Sequence, residues 1–278
     1  MPSPADYQEI EEPTLDQRRI EALWSLEASS SGAHLVLPDG RMDLVVACRL
    51  SPNGRVTGTE LMIVGPSSRA VSVPVAPGQR FLGLRFKPGW GRVCLEIDAA
   101  TMRDSTLSGA EADRALGFDA ERLRSARSVS EIRAALVAAG RERAASARDG
   151  LGPAATAALD LLHGAGGRLS LPALAKATGS VDRTLRRQIA AAVGLPLKTL
   201  ASVLRFQRTI RLLTGAGRPR MPLGEAAIEG GYSDQAHMTR EFRKLGGFTP
   251  GRHPPVALGS RPIGGLAGSF KTAVRTTR

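Results

Sequence analysis

The sequence predicts an α+β chain: a β-rich N-terminal domain folded as a small barrel or sandwich, then helices, then an all-α C-terminal domain. Three observations predict it. Short alternating runs separated by turn residues crowd residues 18–86. From about residue 90 the period changes to that of a helix, and it is nearly unbroken over 152–250. The charge divides along the same line. Of 38 Lys+Arg and 26 Asp+Glu, residues 151–278 carry 19 basic and 6 acidic side chains, whereas residues 1–150 carry 19 and 20. A positive field confined to one half points to a polyanion partner.

The strands follow from local chemistry. Val71-Ser72-Val73-Pro74-Val75 and Leu82-Gly83-Leu84-Arg85-Phe86 alternate, and Leu61-Met62-Ile63-Val64 is an apolar run closed by Gly65-Pro66. Asn53-Gly54 lies between Leu44–Leu50 and Val56–Val64, the pattern of a hairpin turn. Pro38-Asp39-Gly40 is a second turn. Ser128-Val129-Ser130-Glu131 has capping-box spacing, followed by the stripe Ile132, Ala135, Leu136, Ala139. This reading assigns 1–125 to the β-rich domain, 126–150 to a helical linker and 151–253 to the helical domain. It assigns 254–278, rich in Gly, Pro and Arg, to an irregular basic tail.

Several classes are excluded at this level. No apolar run approaches the ~18 residues of a membrane span. The start, Met1-Pro2-Ser3-Pro4-Ala5-Asp6, lacks a signal pattern, so no membrane partner is expected and the cytoplasm is the expected compartment. Cys48 and Cys94 alone do not make a disulfide scaffold.

The helical half contains an internal repeat. Leu171, Ala175 and Gly179 recur as Leu223, Ala227 and Gly231, each set followed by a second amphipathic helix. A small Ala lets the second helix cross closely, and Gly permits the positive φ of a tight turn. This is helix-turn-helix spacing, twice. Leu185 and Ile189 face inward in one unit, Met238 and Phe242 in the other, with Ser233 or Asp234 as the cap of the second. The exposed faces then carry Asp182, Arg183, Arg186 and Arg187, and Gln235, Ala236, Thr239 and Arg240, with Arg187 and Arg240 at matching positions. Arg and Gln reach guanine and adenine edges bidentately in the major groove. Between the units, Leu197 to Thr214 reads as one long helix of ~27 Å, against the ~34 Å between successive major grooves.

With these residues in view, 153–253 resembles the DNA-binding domain of the AraC/XylS family of bacterial transcription regulators. The resemblance lies in Leu174-Ala175 with Gly179, in Arg183-Thr184-Leu185-Arg186-Arg187 and in Arg205-Phe206-Gln207-Arg208. It is densest in Gly231-Tyr232-Ser233-Asp234-Gln235-Ala236-His237-Met238-Thr239-Arg240-Glu241-Phe242, and Gly247-Phe248-Thr249-Pro250 fits the ending. It implies seven helices, two helix-turn-helix units joined by a long helix, and recognition helices at about Val181–Ala191 and Asp234–Leu245. The DNA contacts it implies are Asp182, Arg183, Arg186, Arg187, Ser233, Gln235, Ala236, His237, Thr239 and Arg240. The chain departs from the family at Ser180-Val181, where the order is inverted, at Pro196-Leu197, where Pro is one place early, and at Gly246-Gly247.

The N-terminal half resembles the sensor domain of one subgroup of these regulators, through Leu37-Pro38-Asp39-Gly40-Arg41-Met42-Asp43-Leu44-Val45-Val46, Val64-Gly65-Pro66 and Leu84-Arg85-Phe86-Lys87-Pro88-Gly89. That resemblance implies a cupin-like barrel that takes a small-molecule effector or mediates dimerisation. The partners implied are double-stranded DNA, a small effector, RNA polymerase and a second copy of the chain, with no cofactor.

Enzymatic signatures are missing from the sequence. Gly164-Ala165-Gly166-Gly167 has neither phosphate-loop spacing, and no GxSxG elbow occurs. His34, His163, His237 and His253 are scattered, without zinc spacing. His34 with Asp39 is the one conceivable metal pair, against a structural His in a strand. Cys48 and Cys94 read as small core residues, with a redox pair as the alternative. Trp24 and Trp90 read as core or domain-surface residues, with ligand stacking as the alternative. Arg205, Arg208 and Arg211 read as phosphate contacts or as a solvated face, and Lys271, Arg275 and Arg278 as added nonspecific affinity or as inert. The reading is a non-enzymatic, sequence-specific regulator. Its alternatives are an architectural DNA-binding protein and a barrel enzyme fused to a DNA-binding domain.

Overall fold

The computed structural model describes residues 5–148, 151–214, 221–252 and 273–275. Strands β1 (Ala5–Ile10), β2 (Ile20–Ala28), β3 (Gly32–Val36), β4 (Asp43–Leu50), β5 (Val56–Val64), β6 (Val71–Val75) and β7 (Gln79–Phe86) come first. Helix α1 (Trp90–Cys94), strand β8 (Thr106–Ser108) and helices α2 (Gly109–Leu116), α3 (Phe118–Ser125) and α4 (Val129–Ser146) follow. Then come α5 (Pro153–Gly164), α6 (Leu171–Thr178), α7 (Asp182–Val193), α8 (Leu197–Thr214), α9 (Leu223–Gly230), α10 (Gln235–Gly246) and β9 (Ala273–Arg275). An antiparallel sheet of order β1-β2-β7-β4-β5-β8 stands beside a smaller one of order β6-β3-β9.

The period-2 pattern sets the two faces of the large sheet. Leu82, Leu84 and Phe86 of β7 join Leu44, Val46, Leu61 and Ile63 in a core with helices α2–α4. The opposite face carries Tyr7, Trp24, Val45 and Phe81, and Val75 of the smaller sheet packs there too. Gly83 is required on this face: a Cβ would lie 2.4 Å from the Trp24 ring. Gly54 takes φ 78° in the β4–β5 turn and Gly40 takes φ 69° after Asp39, so both Gly turns read from the sequence form.

Four features differ from the sequence reading. Strand β1 lies ahead of the segment expected as β; its Asp6, Gln8 and Glu9 leave a weak apolar pattern, which suits an edge strand. Strand β8 interrupts the helical stretch and pairs with β5. Helix α4, expected as a linker, buries Ile132, Ala135, Leu136 and Ala144 in the sheet's core. The tail, expected as irregular, contributes β9, which pairs with β3; His253, Lys271 and Arg278 lie outside the described residues. The capping box forms at α4: the Ser128 hydroxyl accepts the Glu131 N–H at 3.2 Å. The Glu131 carboxylate accepts from the Arg127 N–H at 2.8 Å and from the Ser128 hydroxyl at 3.1 Å, and these two bonds hold its pKa below the ordinary glutamate value.

Among the described residues no single helix is long and apolar enough to cross a membrane, and the one bent pair that could by composition, α7 with α8, turns by 63° at its break. Both helices contribute buried residues to the core of the C-terminal half, α7 through Leu185, Ile189, Ala192 and Val193.

Candidate nucleic-acid interface

Two helix pairs, α6–α7 and α9–α10, repeat one local design. The first helix of each ends on a left-handed glycine, Gly179 at φ 65° and Gly231 at φ 88°, which a residue with a Cβ adopts only at a cost. Ala175 and Ala227 are buried beneath the crossing helix. The second helices bury Leu185 with Ile189 and Met238 with Phe242. That register turns the opposite faces outward. Asp182, Arg183, Arg186 and Arg187 are all exposed on α7. Ser233, Gln235, Ala236 and Arg240 are exposed at and along α10, and Arg243 and Lys244 extend the positive charge into its last turn.

His237 and Thr239 are half-buried and already engaged. The Thr239 hydroxyl donates to the Gln235 carbonyl at 2.8 Å. The His237 ring lies 3.1 Å from the Ser233 hydroxyl and meets the Tyr232 ring edge-on. The structure thus exposes eight of the ten expected contact residues and turns these two toward the start of α10.

The helix starts differ. Asp234 caps α10, its carboxylate accepting the His237 N–H at 2.6 Å; that bond, ahead of the Ser233 hydroxyl, holds its pKa below the ordinary aspartate value. Helix α7 starts at Val181, which offers no side-chain cap. The inverted Ser180-Val181 order is the cause: the hydroxyl sits one residue too early. Val181 is 70% exposed with extended φ and ψ. Val181→Ser therefore supplies the missing acceptor without losing a buried contact, and is expected to stabilise the protein by about 1 kcal/mol, read as a higher midpoint in urea. An unchanged midpoint would mean that α7 starts elsewhere in solution.

Helix α8 carries the two pairs. The Pro196 carbonyl accepts the Leu200 N–H at 3.0 Å, so Pro196 starts the helix with no N–H left to satisfy. One stretch of α8, with Leu200 and Leu204, packs against α5–α7. The rest, with Phe206, Ile210 and Leu213, packs against α9 and α10. Phe206 meets Phe242 edge-on at 4.8 Å, and Phe248 closes the group. The Gly246-Gly247 pair belongs to this packing. A Cβ on Gly246 would fall 2.7 Å from Phe248, and Gly247 ends α10 at φ 76°.

Arg205, Arg208 and Arg211 are half-buried and engaged within the chain rather than spread on a fully solvated face. Arg205 donates to the Ser202 hydroxyl, at 3.0 Å from it, and to Glu241, and lies over the Tyr232 ring. Arg208 pairs with Glu229 and donates to its carbonyl. Arg211 is enclosed between the two domains, where burial and then Arg41 push its pKa down to about 10. Their helical spacing matches an exposed stripe, but partners distant in sequence draw them inward.

Sequence reasoning missed how the N-terminal domain grips the helices. Leu37 is buried among Val203, Phe206 and Phe242. Gln207, 2% exposed, donates from Nε2 to the Pro38 carbonyl at 2.7 Å. The Ala70 N–H donates to the Leu245 carbonyl at 2.6 Å, in the last turn of α10. Gly194, which ends α7, lies against the Ala99 carbonyl and Pro66. The N-terminal domain therefore contacts the C-terminal ends of both α7 and α10, away from the residues exposed near their starts. The 37–43 loop is itself held by buried charge. Arg41 pairs with Glu21, and fully buried Arg85 lies 3.5–3.7 Å from Glu9, Asp39 and Asp43. Such a network fixes geometry more than it adds stability. The signals were present, as a Gln inside an apolar stripe and an Arg inside a strand, but neither identifies its partner.

The remaining candidates have structural surroundings. His34 is buried and its pKa falls to about 4 through desolvation. Among the described residues no group of three or more His, Cys, Asp or Glu is placed to hold a metal ion. Cys48 and Cys94 are both free and buried, and burial pushes each thiol up to about 11. Trp24 covers Gly83, whereas Trp90, with Arg19 stacked over its ring, lines a cavity between the domains.

Two family models match parts of the chain. The model of a helix-turn-helix domain matches residues 174–253, and that of a domain of unknown function, DUF6597, matches residues 13–108. Similar solved structures include the C-terminal domain of AraT, a response regulator from Geobacillus stearothermophilus, at 23% identity over 37% of this chain and 84% of that one, with TM-score 0.33. ToxT from Vibrio cholerae O395 is similar at 7% identity over 82% and 95% of the two chains, with TM-score 0.41. A search of curated proteins found no match. Residues 174–253 thus carry an AraC-type helix-turn-helix domain, behind an N-terminal part whose residues 13–108 match a domain of unknown function.

Proposed function

We propose that the chain binds duplex DNA sequence-specifically, with α7 and α10 as recognition helices in adjacent major grooves of one DNA face. The observation that carries this reading is the matched pair of exposed faces, with Arg187 and Arg240 in equivalent positions on helices that one continuous α8 holds apart. Arginines and lysines supply phosphate attraction and its salt dependence; Arg183, Arg187, Gln235 and Arg240 supply base readout. The N-terminal domain tunes promoter occupancy, through a small effector or by bringing two copies together, and RNA polymerase is the downstream partner. The grip of residues 37–40 and Ala70 on the helices supports this, because any shift of that domain bears on α8 and on the ends of both recognition helices.

The test is binding of the full-length protein to the DNA upstream of its own coding region, titrated with salt and with competitor DNA. One site held against excess competitor is the expected result. Equal affinity for all duplexes would sink the specific reading and leave an architectural DNA-binding protein.

A further inference from the structure

The Gly164-Ala165-Gly166-Gly167 run, which lacks phosphate-loop spacing, has a definite place in the fold. It joins the end of α5 to α6, and Gly166 and Gly167 take φ 59° and 77°. The turn is seated on α8. A Cβ on Gly167 would stand 2.2 Å from the Ala201 carbonyl oxygen, and the Gly167 carbonyl accepts from Arg205 at 3.3 Å. No side chain fits where two backbones approach so closely. The turn therefore fixes the direction in which the next residue, Arg168, leaves it.

Arg168 reaches from one helix-turn-helix unit to the other. In the chain it lies two residues ahead of Ser170, which caps α6. In space its stem lies on the turn of the second unit, where a Cβ on Gly231 would fall 2.8 Å from Arg168 Cγ. The turn of the first unit is open by contrast: among the described residues nothing lies within 4 Å of a Cβ on Gly179. Arg205 also rests on Gly231, but Glu241 answers its charge. Arg208 rests on Gly166, and Glu229 answers it. Arg168 is exposed. Its Nε donates to the Ala165 carbonyl at 3.0 Å, which orients the guanidinium, and among the described residues no carboxylate pairs with it.

The surroundings say what this charge meets. Gly231 leads within three residues to Asp234, the cap of α10, and Ser233 is exposed there. The guanidinium thus stands beside the exposed start of α10, where the two units meet. Two recognition helices in adjacent major grooves straddle the sugar-phosphate backbone that separates those grooves. An oriented, uncompensated guanidinium at the junction suits a phosphate of that backbone.

We propose that Arg168 is a backbone clamp, binding a DNA phosphate between the two base-reading blocks. It fixes both units along the duplex and reads no base. The inference deepens the proposed function and rests on α7 and α10 being the recognition helices.

The test compares the full-length parent, Arg168→Met and Arg168→Lys on the preferred site and on a random duplex, each titrated with salt. Methionine keeps an unbranched stem over Gly231 and removes the charge. Arg168→Met is expected to bind both duplexes about fivefold more weakly near physiological salt, with the log–log salt slope reduced by about one. Its selectivity and thermal midpoint should match the parent. Arg168→Lys should stay within about twofold of the parent, because a point charge still binds phosphate. Ethylation interference locates the contact: a phosphate between the two blocks should interfere with the parent and not with Arg168→Met. An unchanged salt slope in Arg168→Met overturns the proposal. So does a loss confined to the preferred site, or the absence of any such phosphate between the blocks. An equal loss in Arg168→Lys with a lowered midpoint also overturns it and makes the side chain a prop for the Gly231 turn. A parent that binds all duplexes equally would overturn the sequence-specific reading instead, and the salt slope of Arg168→Met on random duplex would still decide the phosphate contact.

Discussion

Replacing Arg240 by alanine is expected to weaken binding to the preferred DNA site by ~1–3 kcal/mol while leaving binding to unrelated duplex nearly unchanged. The reason is placement. Met238 and Phe242 are buried on one side of α10, which turns Arg240 outward beside Gln235 and Ala236. Asp234 fixes where the helix starts, so the guanidinium is presented from the first turns of a rigid helix. A bidentate contact to guanine from that position discriminates among bases. Competition binding with specific and random duplexes separates two roles. Loss confined to the specific site means base readout. An equal loss on all sequences, with the salt slope reduced by about one, means a phosphate contact. Arg187→Ala is the matching experiment in the first unit, where the uncapped start of α7 gives the arginine a less fixed origin.

The second large effect falls on the joint between the domains. Gly194→Ala is expected to cost about 2–4 kcal/mol. Gly194 has φ 76°, and a Cβ there would stand 2.1 Å from the Ala99 carbonyl oxygen. That oxygen is backbone, so it cannot swing aside, and relief requires the two domains to part. Gly179→Ala is the control. It has a similar φ of 65° with nothing within 4 Å of the added carbon, so it bears only the conformational cost of about 1 kcal/mol. Urea denaturation of both variants measures the difference. Equal losses would mean that the contact between Gly194 and Ala99 is not present in solution.

What the sequence revealed and what it hid divide along local and distant interactions. The hairpin at Gly54, the box at Ser128 and Glu131, and the bounds of α8 were legible because each depends on residues a few places apart. The exposed faces of α7 and α10 were legible because the 3.6 period assigns Leu185, Ile189, Met238 and Phe242 to the inside, and the rest follows. Helix α4 was misjudged because an Ala-rich stripe looks alike on a linker and against a sheet. The partners of Arg205, Arg208 and Arg211 were hidden because Glu241, Glu229 and the N-terminal domain are far away in the chain. The docking of Leu37 and Pro38 on α8 was invisible for the same reason, and so was the cavity that this docking closes.

The central claim is that one chain reads two adjacent major grooves. Selection of binding sites from a random duplex library with the full-length protein, followed by footprinting of the enriched sequence, tests it most directly. The account predicts one bipartite motif, two short blocks centred about 10–10.5 base pairs apart on one face of the DNA, with Arg240→Ala relaxing one block and Arg187→Ala the other. A single block indifferent to one of the two variants, or no enrichment at all, would contradict it.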